Sequence, residues 1–297
     1  MRLFDTHAHL DGFAAEGTVE AVLARAQAAG VARICAVGSS EASNECVVRL
    51  AQAHPDILLA AVGYDRDQVE KRPRLDRLAA LAQEPCVVAV GEIGLDYYYS
   101  TETAPAQRTL FSKMLAFALE RQRPVIVHSR EADDDTIAML KEFSIAWKKS
   151  FHTVEKSGPG FPQHGKNQPP VSTAWKKVFH GVEHPPPPGI LHCFTGNAAF
   201  ADQLLDLGLM ISFSGIVSFN NAGPLREVAQ EIPEDRLLIE TDCPYLTPAP
   251  FRGKVNEPAY VRRVAEVLAE ARGVEATALA EATFANAQRV FQWEGNR

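Results

Sequence analysis

The chain has 297 residues, 46% of them hydrophobic and 23% charged, with a formal net charge of −7 and a pI near 5.7. That length suits one or two domains and includes the roughly 250 residues of an α/β barrel. Composition is ordinary for a soluble globular protein, no run approaches the roughly 20 apolar residues of a membrane span, and the acidic total argues against a broad basic face for gripping long duplex DNA. Met1-Arg2 runs directly into an apolar strand with no signal-peptide pattern. The five cysteines (Cys35, Cys46, Cys86, Cys193, Cys243) form no C-x-x-C pair, so reduced thiols and a cytoplasmic location are expected.

Taken in chain order, short apolar runs alternate with helical patterns. A strand over 2–6 leads into His7 and His9, and a helix follows in which Val19, Val22, Leu23 and Ala26 share one face before Gly30 ends it. A strand over 32–37 precedes a helix over 40–53. The strand at 57–63 is followed by Tyr64-Asp65-Arg66 and a helix over 72–83. The strand at 86–91 runs into Glu92, with a helix at 104–122 beyond it. The strand at 124–128 ends on His128, before a helix at 131–143. Then come a strand at 189–194 containing His192, a helix at 197–207, a strand at 209–214, a helix at 222–231 and a strand at 236–241 that delivers Asp242. Helices at 257–272 and 275–291 close the chain. Eight strands, apolar on both faces and separated by helices, predict a parallel sheet closed as a (β/α)8 TIM barrel. An open doubly wound sheet is the second choice, disfavoured because no G-x-G-x-x-G follows the first strand.

Residues 144–184 break this rhythm. SIAWKKSFHTVE (144–155) recurs as STAWKKVFHGVE (172–183), identical at nine of twelve positions. Between and after the copies the chain is rich in proline and glycine, and without these 41 residues it would have 256. The segment is therefore read as a low-complexity duplicated insertion between helix five and strand six of a single 1–297 barrel domain. A loop there lies on the face away from a barrel's catalytic groups, so His152, His164, His180 and His184 are set aside as ligands. Its lysines, interleaved with Trp147 and Trp175, could contact single-stranded nucleic acid, although a surface insert without a catalytic role is the plainer reading.

The six groups that end strands one, four, five, six and eight carry the chemistry. In a strand, residues i and i+2 point to one side, so His7 and His9 can aim at one ion. Glu92, with two oxygens, can bridge two cations about 3.5–4 Å apart. One ion is placed on His7, His9, Glu92 and Asp242, and a second on Glu92, His128 and His192. Water between them would become a nucleophile near neutral pH, with Asp242 orienting it or taking its proton. Taken singly, H-x-H could be structural, Glu92 an ion-pair partner and Asp242 a helix cap. Mixed imidazole and carboxylate ligands accept Mg, Mn or Zn.

The motifs DTHAHL (5–10), GEIGLDY (91–97), PVIVHSR (124–130), HCFTG (192–196) and ETDCPYLTP (240–248), in this order, resemble those of the TatD family of metal-dependent hydrolases. Weaker echoes are Gln107 with Phe111, and NEP at 256–258. The resemblance covers the chain outside 144–184. It implies two-metal phosphodiester cleavage, chiefly exonucleolytic degradation of DNA ends or single strands, with aminoacyl-tRNA deacylation as the alternative ester or amide hydrolysis. It also implies a departure. The family usually has G-x-H-P after strand three, whereas this chain has Asp65 at the histidine position and Arg66 at the proline position. Arg130 and the Thr195-Gly196 helix start are further candidate phosphate contacts, and Asp96 a group that orients a ligand. No membrane and no obligate protein partner are expected.

Overall fold

The computed structural model describes residues 1–71, 73–156 and 185–293. Eight strands form one sheet in sequence order, every neighbouring pair parallel: β1 Leu3–Ala8, β2 Val31–Val37, β3 Leu58–Val62, β4 Val87–Asp96, β5 Val125–Arg130, β6 Gly189–Leu191, β7 Met210–Phe213 and β8 Leu237–Ile239. The first and last strands meet just beyond β8, where Ala8 bridges Cys243 and the His9 amide donates to the Cys243 carbonyl at 2.8 Å. This is the TIM barrel expected from the alternation. Ten α-helices are described: α1 Asp11–Ala15, α2 Val19–Ala28, α3 Glu41–Ala53, α4 Leu75–Leu81, α5 Ala104–Arg121, α6 Asp133–Lys156, α7 Ala198–Asp206, α8 Gly223–Glu231, α9 Val261–Arg272 and α10 Ala276–Phe291. Among the described residues no helix is long and apolar enough to cross a membrane.

Alternation along the strands separates two cores. Phe4, Cys35, Val37, Leu59, Ala61, Val88, Ile126, Ile190, Met210 and Leu238 come from all eight strands and pack together, which makes them the barrel's lumen. Phe284, Ala287, Val290 and Phe291 of α10 join them, so the last helix plugs the lumen at the end where the strands begin. Their neighbours, such as Leu3, Ile34, Leu58, Leu191 and Ile211, face the surrounding helices. With the lower lumen filled by apolar side chains, polar groups at the strand ends can converge only at the C-terminal mouth.

Helix α6 runs thirteen residues beyond the 143 expected from the sequence, through Lys156. Phe143, Trp147 and Phe151 fall at i, i+4 and i+8, and their rings pack at a tilt with centroids 5.8 and 5.1 Å apart. Trp147 is 1% exposed and donates its indole N–H to the Pro186 carbonyl at 2.9 Å, while Ser144 donates to the Leu207 carbonyl. The start of the duplicated segment thus continues a barrel helix, and Trp147 is not available to contact nucleic acid. The remainder of the segment, 157–184, and with it His164, Trp175, His180 and His184, lies outside the described residues. Trp147→Ala is expected to cost about 3–5 kcal/mol and to lower the thermal midpoint by roughly 10 °C. A calorimetric shift under 2 °C would contradict the packing role given to this ring.

Candidate metal centre

Two sets of ligand atoms meet at the two oxygens of Glu92. On the Oε2 side stand His9 Nε2 at 3.4 Å and His7 Nε2 at 3.6 Å. These nitrogens are 3.2 Å apart and lie 3.6 and 3.7 Å from Asp242 Oδ1. On the Oε1 side His128 Nδ1 and His192 Nε2 each lie 3.5 Å away, and 3.3 Å from one another. Most of these separations exceed a good hydrogen bond. They match ligands around one ion, because bonds of about 2.1 Å put neighbouring ligand atoms roughly 3.0–3.4 Å apart. The donor set therefore fits metal. The sequence reading grouped the same six residues, with Glu92 between the two groups.

Two of the four imidazoles, those of His9 and His128, are fixed by a hydrogen bond at the other nitrogen, as ligating histidines usually are, while His7 Nδ1 is buried without a hydrogen-bond partner among the described residues. His9 Nδ1 faces the Val37 carbonyl at 3.2 Å, and His128 Nε2 faces Asp96 Oδ2 at 3.2 Å. His192 Nδ1 faces Glu240 Oε1 at 3.4 Å. Glu240 is fully buried and also accepts the Cys193 amide at 2.6 Å. It was not picked out from the sequence, although its place two residues before Asp242, at the end of an inward-facing strand, is the signal that would have found it. Asp5 holds the other side of that turn, accepting from the Thr241 amide at 2.8 Å and from its hydroxyl. Asn256, from the NEP echo, donates to the carbonyls of Thr241 and Tyr245. Asp242 and Cys193 sit at φ 56° and 47°, a left-handed conformation tolerated here because these bonds over-determine the turns. Cys243 is packed away behind the site.

Burial and charge act in opposition on these groups. Burial and the neighbouring His192 pull His7 down to about 4. Burial also lowers His9, but the hydrogen bond and charge of Glu92, with Asp242, outweigh it and push the imidazole up to about 9. Burial tends to raise Glu92, yet the charge of His192 and hydrogen bonds from His192, His7 and His9 hold it well below the usual carboxylate range. Burial lifts Asp242 to about 7 against the pull of His192 and His9. Glu92 is thus the anion around which the others are arranged.

The candidate substrate contacts are less uniform. Asp65 is buried and caps the turn Arg66–Gln68, accepting the Asp67 amide at 2.9 Å. Burial and the charge of Glu92 raise it to about 6. Its neighbour reaches the centre instead: Arg66 Nη1 donates to Glu92 Oε1 at 2.9 Å, and its Nε lies 3.9 Å from Asp96 Oδ2. Arg130 stacks its guanidinium on the Tyr98 ring, 3.5 Å from the centroid. Thr195 is exposed and lies three residues before α7, whose first turn is already capped by the Asn197 side chain.

A family model described as TatD related DNase matches residues 4–292. The chain belongs to the TatD family. It is 38% identical to the metal-dependent hydrolase YcfH of Escherichia coli K12 over 300 residues, covering 100% of this chain and 98% of YcfH. Identity to the 3'-5' ssDNA/RNA exonuclease TatD of Pectobacterium carotovorum is 33% over 298 residues, 98% of this chain and 99% of that one. Among solved structures, YjjV of Escherichia coli K12, described as a TatD homologue, superposes with a TM-score of 0.80 at 28% identity, covering 98% of each chain. TatD membership accounts for the barrel.

Proposed function

We propose that this chain is a two-metal phosphodiesterase that shortens single-stranded nucleic acid, chiefly DNA, from an end. The observation that carries this reading is the division of ligands at Glu92, with one histidine set facing each oxygen. Two divalent ions held there, Mg, Mn or Zn, would polarise the phosphoryl group and acidify the attacking water. His7, His9, Asp242 and Glu92 would hold one ion, and His128, His192 and Glu92 would hold the other.

The chain's own groups then have distinct tasks. Asp242 turns Oδ1 to both His7 and His9, leaving its second oxygen to orient water and receive its proton. Glu240 and Asp96 keep His192 and His128 turned inward. Arg66 offers a planar donor set beside the bridging carboxylate, where it can meet a non-bridging phosphoryl oxygen. Glu92, Asp242, Glu240, Asp96 and Asp65 crowd carboxyl groups around the centre, with the Arg66 guanidinium at Glu92 Oε1, and divalent ions would offset this negative charge so that an anionic phosphodiester can approach.

The test is metal content measured together with turnover of 3'-end-labelled single-stranded DNA and of an aminoacyl ester, with and without chelator. Two ions per chain and chelator-sensitive shortening of DNA are expected. Ester cleavage with intact DNA would replace this reading with the deacylase.

A further inference from the structure

Among the described residues the only exposed aromatic rings are Tyr98, Tyr99 and Tyr245, at 50%, 82% and 63%. All three lie at the C-terminal mouth of the barrel. Tyr98 and Tyr99 directly follow β4, and the Tyr98 amide donates to Asp96 Oδ1, the carboxylate whose other oxygen holds His128. Their rings meet edge to face, 4.8 Å between centroids and 85° apart. Arg130, the last residue of β5, lies 3.5 Å over Tyr98 and 5.3 Å from Tyr99. Tyr245 follows β8, four strands away and so across the mouth, with its ring edge-on to His9 at 6.2 Å. The metal centre thus has a ring platform on each side, one tied to the His128 half and one to the His9 half.

Rings this exposed add little to folding, since the favourable term is the apolar area removed from water. Their concentration around the candidate metal centre needs another explanation. Every nucleobase has a face that stacks on tyrosine, and a guanidinium beside the ring can add a cation–π contact or a phosphate bond. We propose that Tyr98, Tyr99 and Arg130 on one side, and Tyr245 on the other, are base-stacking positions that hold a single strand across the centre. The phosphate between two stacked bases is thereby delivered to the ions, which gives sequence-tolerant recognition of a strand end. This rests on the phosphodiesterase reading above and names the part of the substrate, the bases, that the rim binds.

The experiment uses the metal-loaded protein and a single-stranded oligonucleotide with phosphorothioates at its last three linkages, so that binding is read with little cleavage. 2-Aminopurine is placed at the last or penultimate position, and separate strands carry an abasic site at each. Stacking is expected to quench the 2-aminopurine, and one abasic site to raise Kd by anisotropy roughly tenfold. In Tyr99→Ala and Tyr245→Ala chains the intact strand should bind about tenfold more weakly and the matching abasic penalty should vanish. Tyr99→Trp should keep it. Equal Kd for intact and abasic strands, or an unchanged abasic penalty in the alanine variants, overturns the proposal while leaving DNA shortening intact. A protein that does not bind this strand and does not shorten its unmodified counterpart, yet cleaves esters, overturns both this proposal and the reading beneath it.

Discussion

A Glu92→Gln chain is expected to fold, to hold at most one ion, and to lose at least about a thousandfold in kcat/KM on a phosphodiester, about 4 kcal/mol of transition-state stabilisation. The argument is one of atoms. Glu92 turns Oε2 to His7 and His9 and Oε1 to His128 and His192, at 3.4–3.6 Å. A carboxamide has one oxygen and one NH2 group, and the NH2 has no lone pair to give a metal. Whichever way Gln is turned, both histidine pairs lose the anion, one pair also loses its ligand oxygen, and two ions could no longer share a ligand. The fold should survive, because the Glu92 amide still donates to Gly38 across the lumen and the side chain keeps its volume. Elemental analysis of metal per chain and steady-state kinetics check this together. Two ions bound, with activity within tenfold of the parent, would show that Glu92 does not bridge.

The barrel and the convergence of its candidate ligands were legible because each rests on a local pattern. Short runs apolar on both faces can only be buried parallel strands, and the groups ending them must then share one face. Candidate ligands among or just after the last residues of a strand, His7, His9 and His128, needed nothing more. Groups whose task depends on neighbours across the barrel were harder to see. Glu240 is two residues before Asp242 in the same motif, but only the approach of β6 shows that it holds His192 and the Cys193 amide. Asp65 stood out as a substitution, yet it is bound into its own turn, and Arg66 beside it extends to Glu92. Which of two adjacent polar residues reaches inward depends on the exit angle of a loop, which residue spacing does not encode. Trp147 was misread for a related reason. Its lysine neighbours made the stretch look solvated, whereas the spacing from Phe143 to Phe151 continues the buried stripe of α6.

Metal removal should cost stability as well as activity. Glu92 and Glu240 are buried at the end of the lumen, with Asp96 beside them and Asp242 at the rim. Without ions these carboxylates are offset, among the described residues, by the Arg66 guanidinium at Glu92 Oε1 and by the His9 and His192 imidazoles, which, against the cost of burial, the neighbouring carboxylates favour in the protonated form. Ions that bind the folded chain and not the unfolded one stabilise it by about 4 kcal/mol at a thousand times Kd. For a domain of this size that moves the thermal midpoint by roughly 10 °C. Stripping with chelator should lower the midpoint by about that amount, and returning Mg, Mn or Zn should restore it. The ion effective at the lowest concentration would be the preferred one. Arg66 supplies an internal comparison. Its guanidinium partly compensates Glu92 when ions are absent, so Arg66→Met should lower the midpoint more in the stripped protein than in the loaded one, widening the metal-dependent gap. A midpoint that moves less than 1 °C on chelation would mean the four carboxylates are balanced without metal. An equal effect of Arg66→Met in both states would mean that this arginine does not offset the missing charge.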